Sequence, residues 1–556
     1  MVRTLIDPVT RIEGHLRIEL EVDNGVVTDA WASGTLFRGL EIIMKNRAPA
    51  DAFFISQRIC GVCPVSHGHT SSMATEKAFN VKIPNNARII RNLIEGAQFL
   101  HSHILWFYQL AALDWVDVSK ALNAKVADTY SLAEAAGTGV ADFGAVQAKL
   151  KGLVDGGQLS IFTNAWFGNS AYSKTMPPEF NLIATAHYLQ ALEMQCEASQ
   201  ISGIIGGKMP HIMTSIPGGT TWVPTEEKLG GVLFRLNKIH DWVLGTMVPD
   251  TLALAPFYPE AFGYGKGVGK YLAYGVFDKD SRQPNDRYLP AGVIRNGLTV
   301  EDVDEAKIAE FVDRSFYETY PDGANKGINP TDGVTQPQAP KYDTTSANGK
   351  YTWSKAPRYD GSPLEVGGLA RVLVAYLRGV PRIKELVDST LAKLGAAGKP
   401  EVLLSTLGRT AARPLEALYV CEMMIEQVND LVASLKGGDS DFFTEFDDGE
   451  GAGVGMWEAP RGALLHATNV KGHKIQNYQC IVPSTWNISP RDADGKNRGP
   501  MEQALIGNPC TNLQQPLEAL RTVHSFDPCI ACAVHVMDAK KGSSHTVWTG
   551  PAMGVL

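Results

Sequence analysis

Cysteine is scarce in this sequence. There are eight in 556 residues, too few and too scattered for the disulfide framework of a small secreted scaffold. Long apolar runs are missing as well: no uninterrupted stretch approaches the roughly 20 residues that span a bilayer. Nor is there an excess of basic charge. Lys and Arg number 51 against 59 Asp and Glu, a formal charge of −8, which argues against a nucleic-acid surface. The opening Met1-Val-Arg-Thr-Leu-Ile-Asp-Pro8 lacks the basic, apolar and cleavage regions of a signal peptide, so the chain is expected to be cytoplasmic or exported as a passenger. Internal repeats and low-complexity tracts are absent too. What remains is 44% hydrophobic, enough in a chain of this length to bury a deep core.

Four of the eight cysteines fall into two pairs. Arg58-Ile-Cys-Gly-Val-Cys63-Pro64 lies near the start, and Asp527-Pro-Cys-Ile-Ala-Cys-Ala-Val-His535 near the end. A Cys-x-x-Cys pair can place two thiolates on one metal, and two pairs brought together by folding supply four. A structural zinc knuckle is the commoner use of two such pairs, but there they sit about 15–20 residues apart. Here more than four hundred residues separate them. A thioredoxin-like dithiol needs only one pair and leaves the second, with His535, unexplained. Spacing alone therefore points to four thiolates at one site, clamped between the two ends of the chain, without naming the metal.

The same residues resemble the two signature motifs of the large subunit of nickel-iron hydrogenases. Asp7-Pro-Val-Thr-Arg-Ile-Glu-Gly-His15, Arg38-Gly-Leu-Glu41, Ala112-Leu-Asp-Trp115, Gly206-Gly-Lys-Met-Pro-His211, Glu458-Ala-Pro-Arg-Gly462 and Tyr478 to Asn487 also read as landmarks of that family, in its order. The resemblance implies nickel on Cys60, Cys63, Cys529 and Cys532, with Cys63 and Cys532 bridging to an iron that carries carbon monoxide and two cyanides. Cys529 would take the proton and pass it to Glu13, while Arg461 overhangs the open metal position, helped by Pro460 and Asp527, with Ser484 also lining the cofactor. A second, hard cation, usually magnesium, would sit on Glu41, the Cys480 carbonyl and His535. Ser102 stands where many relatives carry Asp. Splitting dihydrogen heterolytically requires a Lewis acid for the electron pair and a nearby base for the proton, and such a site offers both.

The resemblance also implies partners. Cys196, Cys421, Cys480 and Cys510 are scattered and show no iron-sulfur spacing, so a small subunit must carry the clusters. It would also carry the export signal that takes the pair to the periplasm, any membrane contact being through partners; a cytoplasmic location is the alternative. Residues 536–556 match an extension that a maturation endoprotease removes after His535. A hydrogen-sensing relative with little turnover is the competing reading. Loss of the cysteines would have marked a third, a structural subunit of quinone oxidoreductases.

The expected fold is α+β and predominantly α: one large-subunit domain over 1–556, with a large helical bundle core, an N-terminal antiparallel strand region and a strand/loop insertion. Residues 1–32 alternate as strands around an Asn24-Gly25 hairpin signal. The core spans 85–260 and 366–436, with helices expected at Asn85 to Trp115, capped by Asn85 or Asn86, and at Pro178 to Ile205, Thr225 to Met247, Gly367 to Leu394 and Ala412 to Leu435. Residues 262–362, rich in Gly, Pro, Asp, Asn and Tyr, read as an insertion of short strands and loops and not a separate domain, either shaping a partner surface or forming a plain surface excursion. Arg409 and Arg413, near Glu416, are expected to order loops through paired carboxylates. His67, His69, His101 and His103 are assigned to packing or hydrogen bonding and not to the metal.

Overall fold

The computed structural model describes residues 2–162, 166–280, 282–320, 327–338 and 340–533, with the side chains of residues 160, 161, 532 and 533 left aside. His535 and the 536–556 extension lie outside the described residues, as does the Cys532 side chain. The fold is mixed α+β, 47% helix and 16% strand in several small sheets. Among the described residues no helix is long and apolar enough to cross a membrane.

The chain opens with three antiparallel strands, Val2–Ile6, Leu16–Asp23 and Val26–Gly34. Asn24 and Gly25 both take positive φ, 50° and 76°, the backbone a two-residue hairpin turn demands. Leu16, Ile18 and Leu20 are fully buried, so the alternation read from sequence faces a core.

The long helices run Asn85–Leu105, Pro178–Gly206, Glu226–Trp242 and Thr406–Lys436, and those at 178 and 406 each pack on the helix at 85 and on the helix at 226. Several boundaries differ from the sequence expectation. Pro84 occupies the N-cap of the first helix, with no side-chain cap; Asn85 instead accepts from Arg88, and Asn86 donates to the Asp439 carbonyl. That helix continues through a π-turn at Trp106–Ala111. The stretch from 367 to 394 is two helices, Gly368–Leu377 and Pro381–Lys393, because Pro381 cannot donate a helical hydrogen bond and starts a new helix. The last long helix begins at Thr406, capped by Ser405, six residues before the expected start, so Arg409 joins Arg413 and Glu416 on the helix. The 262–362 segment contributes short strands, as expected, but it is more than a surface excursion, since Glu310, Lys355 and Arg358 within it are buried.

Two elements went unread in the sequence. Pro64 opens a helix, Pro64–Ala78, and residues Glu450–Ala459, Gly462–Lys471 and Lys474–Ile481 form a second antiparallel sheet. They meet backbone to backbone. A Cβ on Gly451, Gly453 or Gly455 would lie 2.2 Å from the Ala78 carbonyl, 2.2 Å from that of Ala74 and 2.3 Å from that of Thr70. Two strand residues advance about 6.6 Å and four helical residues about 6 Å, so helix and strand stay in step for three contacts. This seats the helix that follows Cys63. Gly453→Ala is expected to destabilise the protein by roughly 1–3 kcal/mol, as overpacking does, read by chemical denaturation; unchanged stability would contradict the contact.

Candidate metal centre

Three thiols from opposite ends of the sequence share one buried spot. The sulfurs of Cys60, Cys63 and Cys529 all lie within 4.8 Å of one another, and each residue is 1% exposed. Cys60 Sγ and Cys529 Sγ are 3.3 Å apart, well beyond the roughly 2.05 Å of a disulfide. Cys60 closes a short 3₁₀ turn, Gln57–Ile59. Its sulfur accepts from the amides of Val62 and Cys63 at 3.3 and 3.4 Å, which favours the thiolate.

The two chain ends are joined by backbone. Glu13 pairs with Cys529 in a parallel bridge: its amide donates to the Pro528 carbonyl at 3.3 Å, and its carbonyl accepts from the Ile530 amide at 2.7 Å. Gly14, at φ +85°, permits this approach, since a Cβ there would lie 2.4 Å from the Ala531 nitrogen. The Glu13 carboxylate is thereby brought to the thiols. Its Oε2 accepts from Cys529 Sγ at 3.1 Å and from the Ala531 amide at 3.0 Å. Burial and then the charge of Cys60 push its pKa up to about 7, against the pull of those two donors and Arg461.

Arg461 lies in the tight connection between the first two strands of the second sheet. Its guanidinium meets Asp527 Oδ1 through Nε at 3.0 Å and Nη2 at 2.9 Å, and Nη1 donates to Ser102 Oγ at 3.3 Å. Burial opposes its charge, yet Asp527 and the sulfurs of Cys529, Cys63 and Cys60 raise its pKa well above the ordinary value. Asp527 holds a positive φ of 52°, uncommon for a residue with a Cβ, and also faces Arg413 at 3.5 Å. The Pro460 carbonyl accepts from Arg371 at 2.7 Å, and Ser484 Oγ accepts from the Cys529 amide at 2.8 Å.

Glu41 is buried at 5% exposure and belongs to a second cluster. It accepts from the Cys480 amide at 2.9 Å, from Thr335, and from Lys355 at 3.3 Å. Cys480 reaches Glu41 through its N–H. Gln479 Oε1 and Glu310 Oε2 complete the surroundings of Lys355 at 2.9 and 3.4 Å. Burial lifts Glu310 to about 7 despite Lys355, with Glu41 adding to the rise. Sequence reasoning missed Lys355 and Glu310, which no motif marks, and gave no role to Gln479, although it lies in the Tyr478 to Asn487 landmark. Nor did it find Arg371, which bonds Glu416 at 2.5 and 2.8 Å and Glu458 at 2.7 Å. Among the described residues, the group of possible metal donors at this spot is Cys60, Cys63 and Cys529. His103 meets Glu416 at 2.8 Å.

The donor set of the first cluster is sulfur alone, which suits a soft or borderline transition metal and not magnesium or calcium. The second offers Glu41, Glu310, Gln479 and Thr335, the oxygen donors a hard cation takes.

A family model described as nickel-dependent hydrogenase matches residues 38–535, and one described as HoxL-like matches residues 3–32. The uptake hydrogenase large subunit of Rhizobium leguminosarum bv. viciae is 42% identical, covering 96% of this chain and 95% of its own. The hydrogenase-2 large chain of Escherichia coli (strain K12) is also 42% identical, over 97% and 98%. The Ni-Fe-Se hydrogenase from D. vulgaris Hildenborough in the reduced state superposes with a TM-score of 0.80 at 34% identity, covering 96% of this chain and 100% of that one. The chain belongs to the nickel-dependent hydrogenases, oxidoreductases that cleave dihydrogen at a site containing nickel and iron. Within that class it is a large subunit, the half of the enzyme that pairs with a small subunit.

The arginine–carboxylate lattice beside this site is a stability element with a pH signature. Burial would raise the Glu416 carboxyl, but Arg371 and His103 bring it down to about 2. Its contribution is therefore full above the ordinary glutamate range and lost as pH falls from there through about 2. Glu416→Ala is expected to cost roughly 3–5 kcal/mol at neutral pH by stranding Arg371, measured by denaturant unfolding, with the deficit shrinking as the pH is lowered.

Proposed function

We propose that this chain is the catalytic half of an uptake-type hydrogenase whose proton leaves through Cys529 and Glu13. The 3.1 Å contact from Cys529 Sγ to Glu13 Oε2 carries the reading, because it couples a sulfur of the cluster to a base tuned near neutrality. Cys60, Cys63, Cys529 and Cys532 would hold nickel, with Cys63 and Cys532 also serving an iron that carries carbon monoxide and two cyanides. When bound, the metal pair supplies the Lewis acidity that receives the electron pair of dihydrogen. Every other step falls to the chain. Cys529 accepts the proton and hands it to Glu13. Arg461, fixed by Asp527, presents an unvarying cation over the reacting position. Arg371 and Arg413 hold the Pro460 carbonyl, Ser484 fixes the Cys529 amide, and the long helices serve as a bundle core behind both.

Glu41, with the Cys480 carbonyl and His535, would hold magnesium or a similar hard cation. Electrons pass to iron-sulfur clusters of the small subunit. The heterodimer works in the periplasm, reached through the export signal of that subunit, and an endoprotease trims the chain after His535. Intact mass of the active protein is expected to end at His535; an active chain retaining residues 536–556 would contradict the trimming.

Glu13→Gln keeps the shape of the carboxylate but cannot take a proton. It is expected to lower hydrogen oxidation and hydrogen–deuterium exchange by about 10²–10⁴-fold, the range for a lost general base, with nickel and iron content unchanged. Exchange at the wild-type rate would remove Glu13 from the proton route.

A further inference from the structure

Asp114, in the Ala112-Leu-Asp-Trp115 motif, is fully buried at the end of a short 3₁₀ turn, Ala112–Asp114. Its two carboxylate oxygens serve two distant stretches of chain. Oδ1 accepts from Arg11 Nη2, and Oδ2 accepts from His524 Nδ1 at 2.6 Å. Arg11 stands two residues before Glu13, and His524 stands five before Cys529. One carboxylate therefore grips both of the arms that the Glu13–Cys529 bridge joins.

Further contacts lock each arm to the other. His524 Nε2 donates to the Thr10 carbonyl at 2.9 Å, so one ring ties Asp114 to the first arm. The His524 carbonyl accepts from the Asp527 amide at 2.9 Å and from Trp106 Nε1 at 2.8 Å, which extends the hold to the residue that faces Arg461. Arg11 Nη1 donates to the Leu110 carbonyl at 2.6 Å, and Arg521 Nε donates to the Asp114 carbonyl at 2.9 Å. Burial would raise the Asp114 carboxyl, but Arg11 and His524 hold it below the ordinary aspartate range, so both oxygens accept. Arg11 and Asp527 take positive φ, 54° and 52°, a backbone that persists in such residues only where the surroundings over-determine it. The bridge itself is one residue pair with two hydrogen bonds. By itself it sets a separation and not the angle between the arms, and the 3.1 Å contact from Cys529 Sγ to Glu13 Oε2 weakens steeply as its angle closes.

We propose that Asp114 is a positioning residue of the proton route: with Arg11 and His524 it fixes the angle at which Glu13 Oε2 meets Cys529 Sγ. It acts through the two arms that carry those atoms. The inference rests on the proton route proposed above. A plain tie between the chain ends would use the same contacts, but its loss would lower stability and metal loading and leave each loaded site working as before.

The test uses the full heterodimer. Asp114→Asn keeps the shape, but an amide has one accepting and one donating end, so Arg11 and His524 cannot both be held. Arg11→Gln removes the charge at a partly exposed position, and Arg11→Lys restores it. Turnover per nickel, its solvent deuterium isotope effect, the infrared bands of the metal-bound diatomic ligands and thermal unfolding are recorded together, beside Glu13→Gln. Asp114→Asn is expected to lower turnover per nickel on the order of 10²-fold, as a small misplacement from a distant change does, with a raised isotope effect and ligand bands at wild-type positions. Arg11→Gln is expected to do the same more weakly, and Arg11→Lys to recover most of the loss. Wild-type turnover per nickel and isotope effect in Asp114→Asn and Arg11→Gln, with only a lower Tm, would overturn the proposal. Displaced ligand bands would overturn it too, because they place the effect on the metal centre. If Asp114→Asn does not assemble, Arg11→Gln alone decides. Glu13→Gln turning over at the wild-type rate would remove the proton route itself, so the two failures are told apart.

Discussion

Everything at the site depends on one closure: the pairing of Glu13 with Cys529 across a separation of 516 residues. Two backbone hydrogen bonds make the join, and Gly14 lets the strands touch. Sulfur atoms that crowd to 3.3 Å as thiolates repel, so the pocket is poised for a cation that neutralises them. The fold brings the sulfurs together, and a bound metal would neutralise their charge. That division of labour explains why the dithiols can stand at opposite ends of the chain. A knuckle holds its metal by local turns, whereas this site is held by the whole protein.

Around the thiols the charges are arranged in paired layers. Asp527 answers Arg461 and faces Arg413; Glu416 and Glu458 answer Arg371; Glu365 takes Arg409 through two contacts of 2.7 and 2.8 Å. Buried guanidiniums that are paired and bidentate cost little to keep charged, and each is aimed by a neighbour that is itself fixed. The arginine nearest the thiols therefore inherits rigidity from a lattice that reaches the helix Thr406–Lys436 and the helix Gly368–Leu377. A cation that does not move is what a reacting site needs, since no reorganisation is then required as charge develops.

Some of this was legible in residues alone. The dithiol spacing implied one shared site, and three of its four sulfurs do converge. Asn24-Gly25 announced a hairpin, and Pro178 and Gly207 bracket their helix as their backbone chemistry dictates. The helix after Cys63 was not legible. Ser66-His-Gly-His-Thr-Ser-Ser72 carries no apolar stripe, because the helix is buried on nearly every side and its neighbours accept small polar residues. The Gly451, Gly453 and Gly455 alternation hid a strand, since glycine carries no strand preference, yet it marks where helix and sheet backbones touch. Lys355 and Glu310 escaped for another reason. They sit in a segment whose composition resembles a surface loop, and Glu41, which Lys355 joins to Glu310, is 314 residues from Lys355, a distance no local pattern spans.

The most direct test of the account is the infrared spectrum of the anaerobically purified heterodimer, in the region where metal-bound carbon monoxide and cyanide absorb. The account predicts one carbon monoxide band and two cyanide bands that move when hydrogen is admitted. A spectrum empty in that region, from protein carrying its full nickel, would mean that the converging thiols hold some other centre, and the hydrogen-splitting chemistry assigned to Cys529 and Glu13 would fall.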